Sequence, residues 1–478
     1  MKLNTIKLTN PYLALPDLCY DRVKPTPLKK PFLIHANAEV AKMLNLDEAS
    51  LESDAFVQFM NGNLQLEGSE SFSMCYAGHQ FGFYVPRLGD GRAINIGTIN
   101  NLHLQLKGAG KTLYSRSGDG RAVLRSSIRE YLMSEAMHGL GIETTRALGI
   151  IGSEQEVIRE QWEKASIVLR LSPSWIRFGT FEYFSHTKNL KELEALADYA
   201  IAESYPHLLD ENDRYLYFFM EIMGKTARLM AEWQAVGFNH GVMNTDNMSI
   251  AGLTIDYGPY AFLDDYNTNY ICNHTDKNGR YSFGNQPRIG EWNLRALMVA
   301  LAPLISTEKM ESVIKHYGRL YSRHFLYLMG EKLGLDEVED SDFEHFKEMF
   351  GMLQKLRVDY TLFFRTLSHY NSDRTALLKL GLYHQPMNDW LDNYDQHLNR
   401  NRSTTQERQE RMLKTNPKYV LKNYMLQEAI TIAEQGDYSL VESLFNIAQD
   451  PYAEHKEFEH WAGATPDIFK NKKLSCSS

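Results

Sequence analysis

His240, Asn247 and Asp256 fall at the spacing of a phosphotransferase metal loop, within His240-Gly241-Val242-Met243-Asn244-Thr245-Asp246-Asn247 and Asp256-Tyr257-Gly258. Kinase-type enzymes place an Asp two residues after a loop His, an Asn five residues beyond that Asp, and a second metal-binding Asp in an Asp-Phe-Gly. Asn and Asp oxygens suit Mg²⁺, a hard cation that keeps several waters and completes its shell with substrate phosphates. The position of the usual catalytic base, however, is Val242. A chain that keeps both metal ligands and replaces the base by an isopropyl group performs altered nucleotide chemistry or binds without chemistry. The plain alternative is a polar loop in which Asn244, Asp246 and Asn247 cap turns, so the surrounding elements must decide.

Those elements arrive in kinase order. Leu216, Phe219, Met220, Met223, Ala227 and Met230 recur at helical spacing, and Gly237 stands where a C-terminal cap belongs. Leu253-Thr254-Ile255 reads as a short strand ahead of Asp256. Upstream, Leu102-His103-Leu104-Gln105-Leu106-Lys107 alternates apolar and polar residues as a half-buried strand does, and ends on a lysine before Gly108-Ala109-Gly110. From Arg121 to Leu140 the pattern is helical, with Leu124, Ile128, Leu132, Ala136 and Met137 on one face and Glu130 and Glu135 as partners for Lys107. In kinases such a Lys–Glu pair orients the lysine towards the nucleotide phosphates. The pentapeptide Gly-Asp-Gly-Arg-Ala occurs twice, at Gly89–Ala93 and Gly118–Ala122, on either side of Lys107. Its glycines allow close backbone approach and its Arg can fork onto phosphate. The second copy is expected to open the helix, where free N–H groups favour an anion. Neither copy has Walker or dinucleotide-fingerprint spacing.

Together Tyr76-Ala77-Gly78-His79-Gln80-Phe81-Gly82, Leu88–Arg92, Leu106–Arg129, His240–Ser249 and Leu253–Pro259 make the chain resemble the selenoprotein O family, kinase-like protein nucleotidyltransferases, in a bacterial form. The terminal Cys476-Ser477-Ser478 also fits, because some eukaryotic members carry selenocysteine there. The likeness spans nearly the whole chain. It implies an α+β, protein-kinase-like bilobal fold with a strand-bearing N-lobe and a mostly helical C-lobe. The activity implied is transfer of AMP from ATP, or of UMP from UTP in some bacterial members, to Ser, Thr or Tyr hydroxyls of proteins, including the enzyme itself, with pyrophosphate released. By motif, Gly89, Gly91, Arg92, Lys107, Asp119, Gly120, Arg170, Arg177 and Asp256 would hold the nucleotide, with Glu130 pairing Lys107. Asn247 and Asp256 would bind Mg²⁺ or Mn²⁺. Asp246 would accept the proton in place of the missing loop Asp.

Two other classes compete. A small-molecule kinase of aminoglycoside-kinase type shares a His-Gly-Asp loop, but Val242 stands where that Asp should be. A non-catalytic nucleotide-binding pseudokinase scaffold accommodates Val242 and leaves Lys107, Asn247 and Asp256 without a task.

The 478 residues are read as an N-terminal segment (1–70), a strand-bearing nucleotide lobe (71–180) and a mainly helical remainder (181–478) with the catalytic loop 240–258 and a C-terminal tail. Met310, Val313, Ile314, Tyr317, Tyr321, Phe325 and Leu328 form a further core stripe, and Arg400–Glu410 reads as a polar connection. A net charge of −9 gives no basic footprint for nucleic acid. The absence of a signal-peptide core and of any long apolar run makes a cytoplasmic protein without membrane partners the expectation. Cys19, Cys75, Cys272 and Cys476 include no Cys-x-x-Cys pair, so reduced thiols are expected rather than structural zinc. Cys476, in a terminal tail, is a candidate to close onto Cys272, shortly after the metal-binding segment.

Overall fold

The protein is described by a computed structural model covering residues 1–339 and 342–470. Its strands are β1 (Tyr20–Arg22), β2 (Pro31–Ala36), β3 (Phe72–Met74), β4 (Gly78–Gln80), β5 (Phe83–Val85), β6 (Ala93–Ile99), β7 (Leu102–Lys107), β8 (Ala122–Val123), β9 (Arg146–Ile158), β10 (Trp162–Ser172), β11 (Phe238–Asn239) and β12 (Ala261–Phe262). An eight-stranded sheet runs in the order β1-β3-β6-β7-β10-β9-β2, with β8 paired to β10 off that path, and its ladders are antiparallel. Beyond His186 the regular elements are helices, apart from the two-residue strands β11 and β12 in the mostly irregular segment 237–285. The molecule is therefore α+β, with its sheet in the N-terminal part and helices in the C-terminal part.

Strand β7 forms where the alternation predicts it, and the alternation also explains the sheet's two faces. Because side chains along a strand point to opposite faces in turn, Leu104 and Leu106 enter one core with Ile94, Leu169 and Leu171. Gln105 and Lys107 face the other way. Gln105 lies opposite Asn95 on β6 and Arg170 on β10, and Lys107 lies opposite Val168. One face of the sheet thus carries a polar file, Asn95, Gln105, Lys107 and Arg170. Helix Leu124–Gly139 packs against β9 and β10 on that face through Ile128, Leu132 and Ala136. The first seventy residues add β1 and β2 to the sheet, and Leu3, Val40, Phe56 and Phe59 to the core on its apolar side.

Helix Arg214–Val236 feeds the loop as its apolar period predicts. Phe219, Met223, Ala227 and Met230 are buried, whereas Met220 faces solvent. Gly237 ends the helix in the left-handed region at φ 74°, with its N–H bonded to Gln234 O at 3.3 Å. The stripe from Met310 to Leu328 is divided between helices Thr307–Ile314 and Tyr317–Leu333.

Three local expectations are corrected. Leu253-Thr254-Ile255 makes no strand: its ladder contact is a single parallel bridge between Thr144 and Thr254. Gly118–Ala122 does not open the helix, because β8 intervenes and the helix starts at Leu124. Arg400–Glu410 is not merely a connection, since a helix runs from Thr405 to Thr415. Thr404 and Glu407 cap it reciprocally, with Thr404 N donating to Glu407 Oε2 at 2.8 Å and Glu407 N donating to Thr404 Oγ1 at 3.3 Å. Among the described residues, no helix is long and apolar enough to cross a membrane.

Helix Arg214–Val236 supplies a paired test. A Cβ at Gly237 would sit 2.7 Å from the Tyr360 ring at a φ no side chain favours, whereas a Cβ at Gly224, mid-helix, meets nothing within 4 Å. Gly237→Ala should lower stability by more than about 1 kcal/mol, and Gly224→Ala should raise it by about 0.5–1 kcal/mol. Thermal midpoints moving in opposite directions check this.

Candidate active site

The polar file on the sheet meets helix Leu124–Gly139 at Glu130. Lys107 Nζ lies 2.6 Å from Glu130 Oε2, and Arg170 Nη1 lies 2.7 Å from Glu130 Oε1. Glu135, the other predicted lysine partner, belongs to Arg146 instead, at 2.9 Å. Arg170 is buried, donates its second amino group to Gln105 Oε1, and stacks on the indole of Trp175 at 4.5 Å. Register explains the convergence. Arg170 and Gln105 are cross-strand partners, so the fork of one reaches the amide of the other without leaving the sheet face.

Asp256 closes the cluster from the C-terminal side. Its Oδ1 accepts from Arg170 Nη1 at 2.7 Å and faces Lys107 Nζ at 3.4 Å, while its Oδ2 accepts from Arg177 Nη1. Burial alone would raise this carboxyl. Arg177, Lys107 and Arg170 outweigh burial and hold it well below the usual range, so it is ionised. Burial pushes Lys107 down, with Glu130 opposing, and Glu130 itself is held low by Lys107 and Arg170 against its burial. Asp256 adopts φ 56°, a left-handed conformation that costs a non-glycine residue energy and is sustained by surrounding contacts. Those contacts are the three cations and the flanking backbone, where Thr254 N donates to Glu143 O at 2.9 Å and Thr145 N donates to Thr254 O at 3.1 Å.

The loop itself is pinned from below. His240 is buried against Trp233, with ring centroids 5.2 Å apart, and its Nε2 lies 2.9 Å from Ile255 O, tying the start of the loop to the residue before Asp256. Asn247 Nδ2 donates to Val242 O at 3.0 Å, which fixes the amide and leaves Oδ1 as its outward acceptor. Val242 puts an isopropyl group where a kinase has its base. Asp246 is buried, its Oδ2 accepts from Gln80 Nε2 at 3.2 Å, and its Oδ1 has no partner. Burial raises its carboxyl to about 7, against the pull of Arg177. Arg177 Nη1 also donates to Asp246 O at 2.7 Å, so one guanidinium joins the backbone at Asp246 to the side chain of Asp256. The ring of Tyr76 lies 4.7 Å from that guanidinium.

The two Gly-Asp-Gly-Arg-Ala copies perform different tasks. In the first, a Cβ at Gly89 would penetrate the Tyr114 ring at 2.1 Å and Gly91 lies against Tyr114 O, so both glycines are required by a close approach. Asp90 between them is buried and accepts from Met74 N at 3.0 Å, Asn95 Nδ2 at 3.3 Å and Gln105 Nε2 at 3.4 Å, with Arg177 Nη2 3.9 Å away. Arg92 remains half-buried, with Lys107 close enough to feel its charge. In the second copy, Asp119 pairs with Arg159 at 2.8 Å and Gly120 packs on Gly110 O, but Arg121 is structural: it donates to Thr26 O at 2.6 Å and Pro27 O at 3.2 Å. Lys107, Glu130, Arg170, Arg177 and Asp256 are thus one contacting cluster, with Asp246 and Asn247 joined to it through the loop. Asp119 and Gly120 stand apart from that cluster, on the loop after Lys107.

Sequence reasoning passed over Asp90, Gln105, Gln80, Tyr76 and Trp175. Gln105 was legible from the same alternation that picked out Lys107, and Asp90 from its place between two called glycines. The aromatic faces over the arginines carry no local signal. Cys272 is buried, and its Sγ lies where a Cβ on Gly241 would come within 2.4 Å, directly behind the loop. Cys476 lies outside the described residues, as does its pairing with Cys272.

Comparison with known proteins bears on what this cluster belongs to. A sequence profile described as "Protein adenylyltransferase SelO" matches residues 2–449. The chain belongs to the SelO family. Relatives named "Protein nucleotidyltransferase YdiU" are 47% identical in Myxococcus xanthus, 45% in Herminiimonas arsenicoxydans and 44% in Thioalkalivibrio sulfidiphilus. Each match covers all of this chain and between 98% and 100% of the relative.

In this SelO family member the Lys107–Glu130 pair is buried, so removing Lys107 leaves Glu130 to Arg170 alone, and removing Glu130 leaves Lys107 and Arg170 with Asp256 as their shared carboxylate. Lys107→Met and Glu130→Gln should each cost about 3 kcal/mol, and the double variant should cost less than their sum by roughly 1–3 kcal/mol. Urea unfolding of the four proteins measures this, and strict additivity would contradict a direct pair.

Proposed function

We propose that the protein transfers a nucleoside monophosphate, AMP from ATP or UMP from UTP, to Ser, Thr or Tyr hydroxyls of proteins, itself included, and releases pyrophosphate. The observation that carries this is the exchange at the loop. Val242 occupies the place of a kinase's base, and a buried carboxylate with an unpartnered oxygen, Asp246, stands immediately before Asn247. Family membership supports the reading, since the matching profile is described as a protein adenylyltransferase. The sheet with helix Leu124–Gly139 is read as the N-lobe of a kinase-like pair, the helices beyond residue 180 as the C-lobe, and the Lys107–Glu130 pair with the loop as the two sides of the cleft.

Lys107, Arg170 and Arg177 present donors that can pass from Asp256 to phosphate oxygens, and Arg forks suit phosphate geometry. Gly89 and Gly91 keep the first loop low enough for a phosphate to approach its backbone, and Arg92, Asp119 and Gly120 complete the nucleotide contacts. Among the described residues no three His, Cys, Asp or Glu side chains group as a closed metal cage. Asn247 Oδ1 and the Asp256 carboxylate are two hard oxygen donors, which fits a Mg²⁺ or Mn²⁺ ion whose shell is completed by phosphates and water. Such an ion, when bound, neutralises charge on the phosphates and on the departing pyrophosphate. Asp246 takes the proton of the attacking hydroxyl, while Arg170 and Arg177 stabilise charge developing on the leaving group.

ATP labelled at the α-phosphorus should mark protein in step with pyrophosphate release, and ATP labelled at the γ-phosphorus should not. Marking from the γ-position would establish a kinase, and nucleotide binding with neither label transferred would favour a scaffold. Lys107→Ala and Asp256→Ala should each lower transfer at least about 10²-fold in folded protein. A chelator should abolish transfer and Mg²⁺ or Mn²⁺ restore it; full activity under chelation would remove the metal from the scheme.

A further inference from the structure

A groove of about 640 Å³ lies between the β4–β5 hairpin and the segment from Thr275 to Trp292. Phe83 projects into solvent on one side, 78% exposed. Lys277 and Arg288 are exposed and Arg280 half-buried on the other. Arg280 lies flat against Trp292 at 4.5 Å, and its Nε is buried without a partner. Asp276, the carboxylate lining the groove, is buried and already occupied: it accepts from Arg280 N at 2.9 Å and from Tyr281 N at 2.7 Å. Lys277, Arg280 and Arg288 form no ion pair with a carboxylate among the described residues. Three unspent cations beside exposed aromatic surface, on a chain of net charge −9, mark a local field opposite to that of the whole molecule.

The hairpin connects this groove to the catalytic loop. Beside its turn, opposite Phe83, Gln80 Nε2 donates to Asp246 Oδ2 at 3.2 Å. At its turn Phe81 N donates to Tyr281 OH at 2.9 Å and to Asn244 Oδ1 at 3.3 Å, and Tyr281 OH donates to the same Oδ1 at 2.8 Å. Phe81 and Gly82 both adopt positive φ, 52° and 89°, so the turn is tight, and Gly82 leaves just enough room for the Arg280 guanidinium. The hairpin turn that walls the groove is thus bonded directly to the loop, through Gln80 to Asp246 and through Phe81 to Asn244.

We propose that this groove binds an acidic stretch of the protein that accepts the nucleotide, holding its hydroxyl towards Asp246. The inference rests on the reading of the acceptor as a protein. Carboxylates flanking the hydroxyl meet Lys277, Arg280 and Arg288, and an apolar residue among them packs on Phe83 and Trp292. Complementary charge of this kind chiefly sets specificity and encounter rate.

The test uses the full chain and two fluorescein-labelled peptides carrying Ser, Thr and Tyr, identical except that one has Asp and Glu flanks and the other Lys flanks. In anisotropy titrations the acidic peptide should bind about tenfold more tightly. Lys277→Glu combined with Arg288→Glu, both at exposed positions, should reverse that preference and leave ATP affinity unchanged. Equal binding of the two peptides, or a preference untouched by the charge reversal, overturns the proposal. So does tighter binding of a labelled oligouridylate than of the acidic peptide, which would make the groove a single-strand nucleic-acid site. Binding is read without catalysis, so the two claims separate. Preferential binding with no transfer from α-labelled ATP supports the groove and contradicts the proposed reaction, whereas equal binding and equal transfer to both peptides supports the reaction and overturns the groove.

Discussion

The site depends on one carboxylate shared by three cations. Asp256 receives Arg170 and Arg177 and faces Lys107, and each of those cations is fixed by a different part of the fold: Lys107 and Arg170 by neighbouring strands, Arg177 by the turn before helix Phe178–His186. Taking four charged groups out of water is costly. Glu130 and Asp90 offset it with further negative charge, Gln105 accepts from Arg170, and the Trp175 and Tyr76 rings cover the guanidinium faces, while the Nε atoms of Arg170 and Arg177 stay buried without a partner. Asp256's strained φ follows from the same constraint, since its side chain must turn back towards the sheet.

The arrangement is also what makes the site receptive. Lys107, Arg170 and Arg177 are balanced by Glu130, Asp256 and Asp90, and on the proposed function a phosphate would compete with Asp256 for the same N–H donors. Asp246 is outside this balance. It is buried beside the cluster, joined to it through Arg177 and its own backbone, and retains an unpartnered oxygen. A protein kinase places its base two residues after the His; here that position is apolar, and the next carboxylate lies four residues further on, at Asp246. On the proposed function, moving the acid along the loop would change which phosphorus a hydroxyl can approach while keeping Asn247 and Asp256, the proposed metal ligands, in register.

Local pattern carried much of this in the sequence. Strand β7 was legible because Leu102 to Lys107 alternates without interruption, and helix Arg214–Val236 because its apolar period is long and ends on a glycine that takes the left-handed cap. Order along the chain singled out Lys107, Glu130 and Asp256, which the fold brings into contact. What escaped was set by tertiary contact. Leu253-Thr254-Ile255 is apolar enough for a strand, yet only Thr254 finds a bridge partner, and the two bonds of that bridge, to Glu143 O and from Thr145 N, are all the ladder it makes. The two Gly-Asp-Gly-Arg-Ala copies are identical as words and different as structures, because only the first faces Tyr114 and Arg177. Helix Thr405–Thr415 was hidden behind a polar composition, although its Thr-x-x-Glu cap was there to be read.

The proposed reaction requires that Asp256 give up its cations to a bound nucleotide and that the α-phosphorus, rather than the γ-phosphorus, face Asp246. A crystal structure with Mn²⁺ and an ATP analogue that cannot be cleaved between the α- and β-phosphates tests this directly. The account predicts manganese anomalous density between Asn247 Oδ1 and Asp256, Lys107, Arg170 and Arg177 on the phosphates, and the α-phosphate nearest the Asp246 carboxylate. The γ-phosphate in that place, or an ion bound away from Asn247 and Asp256, would contradict it.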